Sequence, residues 1–366
     1  MASKAKPLVG LILLLAVAGA AVYLVQGGGS DLQREAPAEP ITVTGYHGGE
    51  KSGFLRNPDV QALLDDVGLT VKSRKAGSIE MVRTLPLDGQ DCVWPSNRVA
   101  ADLYRQTQAA PRAVENIFRS PLVLYAWDEV ADALIDQGIV SQRDSTFYVV
   151  DFPKLIALVL DGTPWQDVGL PSLYGAVKVV STDPARSNSG NMFFALLATM
   201  INEGQVVGDD ASLARVLPEV VRYREAMGHM ESSSGDLFES FLNMGMGARP
   251  IIAGYENQLI EYAMANPEHR DLLRQRIRTL YPVPTLWADH PLIARTAACQ
   301  RLIEALEDPE IQRLAWTQHG FRSGLAGGAD ADPSVLEVVG IPPRIDAVVP
   351  MPSATIMERM VAAFEP

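Results

Sequence analysis

Short apolar strand patterns end in turns rich in glycine, serine and asparagine, and most of these turns lead directly into helix patterns. Residues 41–46 (ITVTGY) are rich in β-branched side chains, and 58–67 then carry apolar residues at helical spacing. The same order of strand, turn and helix recurs later in the chain. There, the strand pattern of 175–181 is followed by a polar turn and by the apolar helix pattern of 191–201. This alternation predicts an α/β fold, in which helices pack on a parallel or mixed sheet.

The N-terminus carries a long apolar segment. Residues 8–25 contain no charge, and Lys4 and Lys6 precede them. This run is at the lower limit of length for a membrane-crossing helix, and the positive-inside rule then places the rest of the chain outside the cytoplasm. A cleaved signal peptide is the alternative. We therefore expect a cytoplasmic segment at 1–7, a single-pass transmembrane anchor or signal at 8–25, and a flexible linker at 26–40.

Length, composition and charge limit the class of protein. The chain has 366 residues, of which 47% are hydrophobic and 20% are charged, as in an ordinary globular protein that is large enough for two lobes. Its net charge is −13, and it has no basic cluster that would neutralise phosphates. We therefore expect no nucleic-acid partner, although a local field can still attract a small anion.

The sequence carries no recognised motif for catalysis or for metal binding. It lacks an HExxH helix, a GxSxG elbow and a GxxxxGK[ST] phosphate loop. His290 and His319 are predicted to lie in turns, because one precedes a proline and the other a glycine. Cys92 and Cys299 fit either a disulfide or two buried thiols. We expect no enzyme activity, no cofactor and no resident metal.

Four of the polar turns are candidates for anion binding. Each stands before a helix, where unpaired backbone N–H groups and the helix dipole favour negative charge, and where small side chains let a ligand approach. The alternative is that these residues only cap their helices. The candidate residues are Gly48, Gly49, Ser78, Ser187, Asn188, Ser189, Ser234 and Gly235. We expect Ser78, Ser187 and Ser189 to face one cleft and to hold one anion between them.

The order of these motifs resembles that of type II periplasmic solute-binding proteins, in particular those for molybdate, tungstate and related oxyanions. Residues 120–124 (SPLVL) are similar to the family's first crossover between lobes, and 280–284 (LYPVP) to its return crossover. The stretch 306–322, which contains a Gly-Phe turn, is similar to the closing helices. The resemblance covers roughly residues 41–324, whereas the chain continues to Pro366.

The resemblance implies a two-lobed fold in which the two crossovers form a hinge and the ligand lies in the cleft. Lobe one would comprise residues 41–119 and 285–366, and lobe two residues 120–284. A helix predicted over 353–364 should pack on lobe one.

The resemblance also implies further ligand contacts. Tyr255 matches a tyrosine near a strand end, and the neighbouring Glu256 could bind a ligand amine or only cap the next helix. The first loop departs from the family pattern, because Glu50 and Lys51 make it more charged than a plain oxyanion loop.

These sequence features fit two functions. The first is capture of a small anionic solute outside the cell, in the periplasm or the extracellular space, for the permease of an ABC-type importer; a tether would raise the effective concentration of the binding lobes at that permease. The second is a membrane-anchored sensor or assembly module that uses the same fold to bind a protein partner. A large exposed apolar surface along the C-terminal tail would favour the second.

Overall fold

The computed structural model describes residues 40–327 and 331–364. The predicted anchor at 8–25, and the linker up to residue 39, lie outside the described residues. Among the helices of the described residues, none has the length and apolar character needed to cross a membrane.

The strands of the described residues form two sheets that share one strand. The strands are Ile41–His47 (β1), Leu69–Lys75 (β2), Cys92–Trp94 (β3), Ala113–Trp127 (β4), Val140–Arg143 (β5), Phe147–Asp151 (β6), Ile251–Tyr255 (β7), Ile277–Val283 (β8), Trp287–Ala294 (β9) and Arg322–Ser323 (β10). Their hydrogen-bonded order is β2-β1-β3-β9-β4-β8-β6-β5, and β7 and β10 also pair with β4. The shared strand is β4.

Strand β4 connects the two lobes. Its residues 113–121 pair antiparallel with β9, in the sheet that also contains β1 to β3. Its residues 122–127 pair antiparallel with β7 and β8, in the sheet that also contains β5 and β6. The chain returns between the lobes from β8 to β9. We call the lobe built on β1 to β3 and β9 the first lobe, and the lobe built on β5 to β8 the second lobe. The predicted α/β, two-lobed architecture is thus present.

Helices cover both sheets. Those of the described residues are Ser52–Arg56 (α1), Pro58–Asp66 (α2), Glu80–Arg83 (α3), Arg98–Thr107 (α4), Asp128–Asp136 (α5), Phe152–Leu160 (α6), Asn188–Ile201 (α7), Asp210–Met227 (α8), Ser234–Met244 (α9), Glu256–Ala265 (α10), Arg270–Arg276 (α11), Ala297–Leu306 (α12), Pro309–His319 (α13) and Ala354–Ala362 (α14). Many begin at a polar side chain that caps the first turn. The amide oxygen of Asn97, for example, accepts a hydrogen bond from the Ala100 N–H at 2.7 Å.

Helix α7 lies in the core of the second lobe, and all of its residues from Asn188 to Thr199 are buried. Gly190 in its first turn has a packing role, because a Cβ at this position would lie 2.2 Å from the backbone oxygen of Thr182. The strand predicted at 175–181 is not formed. Only Val180 pairs with the sheet, through one parallel bridge to Ile252 in β7.

Cys92 and Cys299 form a disulfide that joins β3 to α12, with Cα atoms 5.5 Å apart. The sequence left open whether these residues pair, and the structure shows that they do. The bond lies within the first lobe, so it stabilises that lobe without constraining the hinge.

The prediction of turn positions for His290 and His319 is wrong. His290 lies inside β9 and His319 is the last residue of α13, and both side chains are buried. The proline after His290 does not end the strand, because β4 has an irregularity between Asn116 and Phe118 where the two strands pair. Proline is tolerated in strands at such bulges.

The C-terminal segment contacts both lobes. Thr285, between β8 and β9, exchanges backbone hydrogen bonds with Ala347 and Val349. Helix α14 packs against α4 of the first lobe and against α7 and α8 of the second. Its buried Met357 and Met360 belong to a core cluster with residues from both lobes. The prediction placed this helix on the first lobe alone; its apolar face is buried against both.

Candidate functional site

A cleft of about 1010 Å³ lies between the two lobes. Eight of the ten predicted site residues line it: Gly48, Gly49, Ser78, Ser187, Asn188, Ser234, Gly235 and Tyr255. The turns at Gly48 and Ser78 follow β1 and β2, Tyr255 ends β7, and Ser187 and Ser234 stand at the starts of α7 and α9. The carboxyl ends of strands meet at one edge of an α/β sheet, which explains why the turns after β1 and β2 lie side by side.

The start of α7 forms part of the wall from the second lobe. Ser187 is the N-cap residue and makes no capping hydrogen bond through its side chain. The backbone N–H groups of Asn188 and Ser189 donate to no described residue. Since Ser187 and Asn188 line the cleft, the positive end of this helix adjoins it.

The start of α9 contributes a second helix terminus. Ser233 caps this helix, because its hydroxyl accepts a hydrogen bond from the Asp236 N–H at 3.2 Å. Ser234 and Gly235 line the cleft. The space beside Gly235 is open, since a Cβ there would have only the Ser233 hydroxyl within 4 Å, at 3.9 Å. A ligand can therefore approach this backbone closely.

On the opposite wall, the turn Gly77-Ser78 of the first lobe faces Arg186 and Ser187. A Cβ on Gly77 would lie 2.9 Å from the backbone oxygen of Arg186, so the two turns are in contact. The Ser78 hydroxyl oxygen accepts a hydrogen bond from the Ser96 N–H at 2.9 Å. Its own proton has no acceptor among the described residues, which leaves this hydroxyl able to donate.

Asn188 connects the two lobes at the cleft. Its side-chain amide donates hydrogen bonds to the Ser96 carbonyl oxygen and to the Tyr255 hydroxyl, each at 2.8 Å. Its amide oxygen accepts from Asn97, the N-cap residue of α4. Burial, and then the nearby Glu50 carboxylate, raise the pKa of Tyr255 well above its usual value. The phenol is therefore neutral, and it can act as a donor or an acceptor.

Two predicted residues do not line the cleft. Ser189 is fully buried, with its hydroxyl 2.7 Å from that of Thr182 and 3.1 Å from that of Ser187. Of the three serines expected to meet in the cleft, Ser78 and Ser187 line it and Ser189 packs behind it.

Glu256 is also buried, at 0% exposure. Its carboxylate accepts hydrogen bonds from the Arg322 guanidinium at 2.6 and 2.8 Å, and from the Tyr281 hydroxyl at 2.7 Å. This arrangement corrects the expectation that Glu256 could bind a ligand amine. Its charge is already paired, and its contacts link α10 to β8 and β10.

Sequence reasoning missed a buried charge cluster at the floor of the cleft. The Lys51 ammonium is 0% exposed and lies 2.5 Å from a Glu50 carboxylate oxygen, 3.1 Å from Ser96 Oγ and 3.1 Å from Nδ1 of His290. Glu50 lines the cleft, whereas Lys51 lies behind it. The only signal in the sequence was that this loop is unusually charged. Lysine in a glycine-rich loop is otherwise expected at the surface.

The ionisation of this cluster follows from burial and from the lysine. Burial raises the pKa of the Glu50 carboxyl, but the Lys51 ammonium and the hydrogen bond to His290 outweigh it and hold that pKa well below its usual value. Burial, followed by the Lys51 charge, lowers the pKa of His290 to about 4. At neutral pH the cluster therefore contains one carboxylate, one ammonium and one neutral imidazole.

Arg56, Lys75 and Arg186 line the cleft with exposed side chains. None of the three forms an ion pair with another described residue. Arg83 and five acidic residues line the cleft as well, so its charges are nearly balanced, and the hydroxyl and N–H donors are the groups suited to an anion. Within residues 40–327 and 331–364, no group of three or more His, Cys, Asp and Glu side chains is placed to hold a metal ion.

Comparison with known proteins identifies the fold. No protein-family model matches the sequence, and no curated protein matches it either. Solved structures do match. Iron-bound HitA from Pseudomonas aeruginosa superposes with a TM-score of 0.58 at 13% identity, over 89% of this chain and 100% of that chain. A periplasmic thiamin-binding protein gives a TM-score of 0.56 at 11% identity, over 88% of this chain and 95% of that one.

A third match is the substrate-binding protein of an ABC transporter from Agrobacterium tumefaciens. It gives a TM-score of 0.54 at 12% identity, over 91% of this chain and 96% of that chain. At these identities the similarity is one of fold. The chain has the two-lobed α/β fold of type II periplasmic solute-binding proteins, and its cleft lies between the lobes.

Proposed function

We propose that this chain is an extracytoplasmic solute-binding protein, not an enzyme, and that it holds a small anionic solute in the cleft between its lobes for an ABC-type importer. One observation carries the proposal. The helix starts at Ser187 and Ser234 and the hydroxyl of Ser78, which come from both lobes, line a single cleft. Such donors bind negative charge without a basic side chain, and closure of the lobes would bring them onto one ligand.

The charged side chains that line the cleft are nearly balanced, with four basic and five acidic residues. The exposed Arg56, Lys75 and Arg186 lie among the lining residues. The acidic Glu261 is engaged, because its carboxylate lies 2.9 Å from Nδ1 of His319. Because Glu80, Asp236 and Glu239 also line the cleft, the preference for an anion rests on the helix starts and on the Ser78 hydroxyl, not on the net charge of the lining. The preference of this chain for an oxyanion, which the order of its motifs suggests, is part of this proposal.

The proposed location rests on two features. The apolar residues 8–25 would anchor the chain in the cell membrane and leave the lobes outside the cytoplasm. Cys92 and Cys299 form a disulfide, and disulfides persist in oxidising compartments outside the cytoplasm. A permease partner is proposed by analogy with the ABC-transporter protein named above.

The alternative, a module that binds a protein partner, is supported less well. Its expected surface was an apolar patch on the C-terminal tail. In α14, however, Ile356, Met357 and Met360 are buried against the two lobes. The apolar face of α14 is therefore not available to a partner, and the exposed apolar side chains of the tail are Val335, Val339 and Val348.

The test is a thermal-shift panel on the purified full chain with sulfate, phosphate, molybdate, carboxylates and amino acids. A solute at a hundredfold excess over its Kd should stabilise the protein by about 2.7 kcal/mol. Stabilisation by at least one anion, and none by inorganic cations, is the expected result. If no anion shifts the transition while a protein partner does, the proposal is wrong.

A further inference from the structure

The cleft is larger than an inorganic oxyanion requires. Its volume of about 1010 Å³ is at the upper end of the range of about 300–1,000 Å³ found for pockets that hold drug-sized molecules. Apolar and aromatic side chains contribute to its walls, among them Ile79, Phe238 and Tyr262. The rings of Phe238 and Tyr262 contact each other with centroids 5.9 Å apart. A bare oxyanion would use neither the volume nor the rings, whereas an organic ligand would use both.

Glu50 is the most deeply buried of the five acidic residues that line the cleft, with a side chain that is 7% exposed. Only one of its carboxylate oxygens, Oε1, contacts the charge cluster, through Lys51, Ser96 and His290. The second oxygen, Oε2, accepts no hydrogen bond from a described residue. It is not one of the fully buried atoms without a partner, so it is accessible. Because Glu50 lines the cleft, a bound molecule can reach this oxygen.

The position of Lys51 makes this acceptor compatible with an anionic ligand. The ammonium lies behind the carboxylate, 2.5 Å from Oε1, and is closed off from solvent. Glu50 and Lys51 together carry no net charge, so they do not repel an anion held at the helix starts. The exposed edge of the pair is nevertheless a carboxylate oxygen, which accepts strong hydrogen bonds from ammonium or hydroxyl groups.

We propose that the ligand is an organic anion that also carries an ammonium group, and that Glu50 is the residue that selects it. This inference rests on the proposed function and specifies its ligand class. The acidic group of the ligand would lie at the starts of α7 and α9, its apolar part along Phe238, and its donor at Oε2 of Glu50.

The test compares paired probes that differ only at the donor. O-phosphoethanolamine is paired with propyl phosphate, and 4-aminobutyrate with pentanoate; in each pair a methyl group replaces the ammonium. Sulfate serves as the bare oxyanion. Affinities are measured by calorimetry on the full chain at concentrations up to about 10 mM, which is well above a weak Kd of about 1 mM. Wild type should bind at least one ammonium probe about tenfold or more tightly than its methyl partner.

Variants then assign that preference to Glu50. In Glu50→Gln the preference should fall to about twofold or less. Because this change leaves the buried Lys51 charge unpaired and can impair folding, the double variant Glu50→Gln/Lys51→Met, which removes both charges, is measured beside it. Glu225→Gln, an exposed glutamate on α8 away from the cleft, is the control and should keep the preference.

Three results would overturn the inference. Equal affinity for the two members of each pair, tightest binding of sulfate, or a preference that survives in both Glu50 variants would each contradict it and leave the proposed function standing. Binding of none of these probes would count against both.

Discussion

The side-chain amide of Asn188 donates a hydrogen bond to the backbone oxygen of Ser96 at 2.8 Å, and so the first turn of α7 in the second lobe is joined directly to the first lobe. The same amide group donates to the Tyr255 hydroxyl at 2.8 Å. Asn188 is 8% exposed and lines the cleft. The Asn188 side chain thus joins the two lobes and also contacts Tyr255 in the wall of the candidate site.

Replacement of Asn188 by alanine should weaken binding by about tenfold to a hundredfold. The Ser96 oxygen and the Tyr255 hydroxyl would lose a partner in the closed form, and an unsatisfied buried group costs about 1–3 kcal/mol. Calorimetry gives the affinity, and small-angle scattering should show a more open unliganded protein. Asn202→Ala at the other end of α7 is the control, because among the described residues the Asn202 side chain hydrogen-bonds only to Gln205 and Arg215. An equal loss of affinity in both variants would contradict the role given to Asn188.

Gly77→Ala should reduce affinity by hindering closure. The new Cβ would lie 2.9 Å from the backbone oxygen of Arg186 in the other lobe, and a backbone atom cannot rotate away. Gly77 has no positive φ, so alanine fits its backbone conformation and the free energy of unfolding should change by less than about 1 kcal/mol. Gly208→Ala, whose Cβ would have only Val206 O within 4 Å, at 3.9 Å, is the matched control. Unchanged affinity in Gly77→Ala would show that the turns need not meet.

Glu256→Gln should lower stability but leave the affinity of the folded protein unchanged. The change leaves the Arg322 charge without its buried carboxylate, and breaking a buried pair in this way costs about 3–5 kcal/mol. Urea unfolding measures the loss, and calorimetry on the folded fraction measures the affinity. A loss of affinity without a loss of stability would show that Glu256 contacts the ligand, and would contradict this prediction.

Stability should fall as the pH drops from about 6.5 to about 4. Burial, and then Lys51, lower the pKa of both His47 and His290 from 6.5 to about 4. In this range the unfolded chain binds more protons than the folded protein, so the free energy of unfolding rises with pH. Each histidine contributes on the order of 3 kcal/mol that is fully present above pH 6.5.

Urea unfolding of wild type and His290→Gln between about pH 7 and about pH 5 checks this dependence. The variant should show a shallower slope, because one of the two titrating groups is removed. Identical slopes in the two proteins would contradict the assignment to His290.

The alternation of strands and helices was enough to predict the fold class, and eight of the predicted site residues line one cleft although the strand predicted before Ser187 is not formed. The direction of single side chains was not accessible in this way. Ser187 and Ser189 are equivalent as sequence signals, and only the tertiary contact of Ser189 with Thr182 distinguishes the buried serine from the one at the cleft. For Gly190, the close approach of Thr182 is likewise a tertiary contact.

Long-range pairing explains the remaining differences. Lys51 is buried because it meets His290, which is 239 positions away in the chain. Glu256 is not available to a ligand because its carboxylate pairs with Arg322, which is 66 positions away. Neither partner has a local signal, since histidine before proline and arginine after a Gly-Phe turn also occur at exposed positions. The path of the C-terminal segment over both lobes depends on surfaces that exist only in the folded protein.

Calorimetry on Ser187→Asp tests the central claim, that an anion binds at the start of α7, most directly. Aspartate is a competent N-cap, so the fold and the free energy of unfolding should be preserved to within about 1 kcal/mol. The added carboxylate would stand in the cleft beside the N–H groups proposed to hold the ligand, and it should repel an anion. Whichever anion stabilises the wild type most in the thermal-shift panel is the probe. We predict a loss of affinity of a hundredfold or more; an unchanged affinity in a folded Ser187→Asp protein would contradict the account.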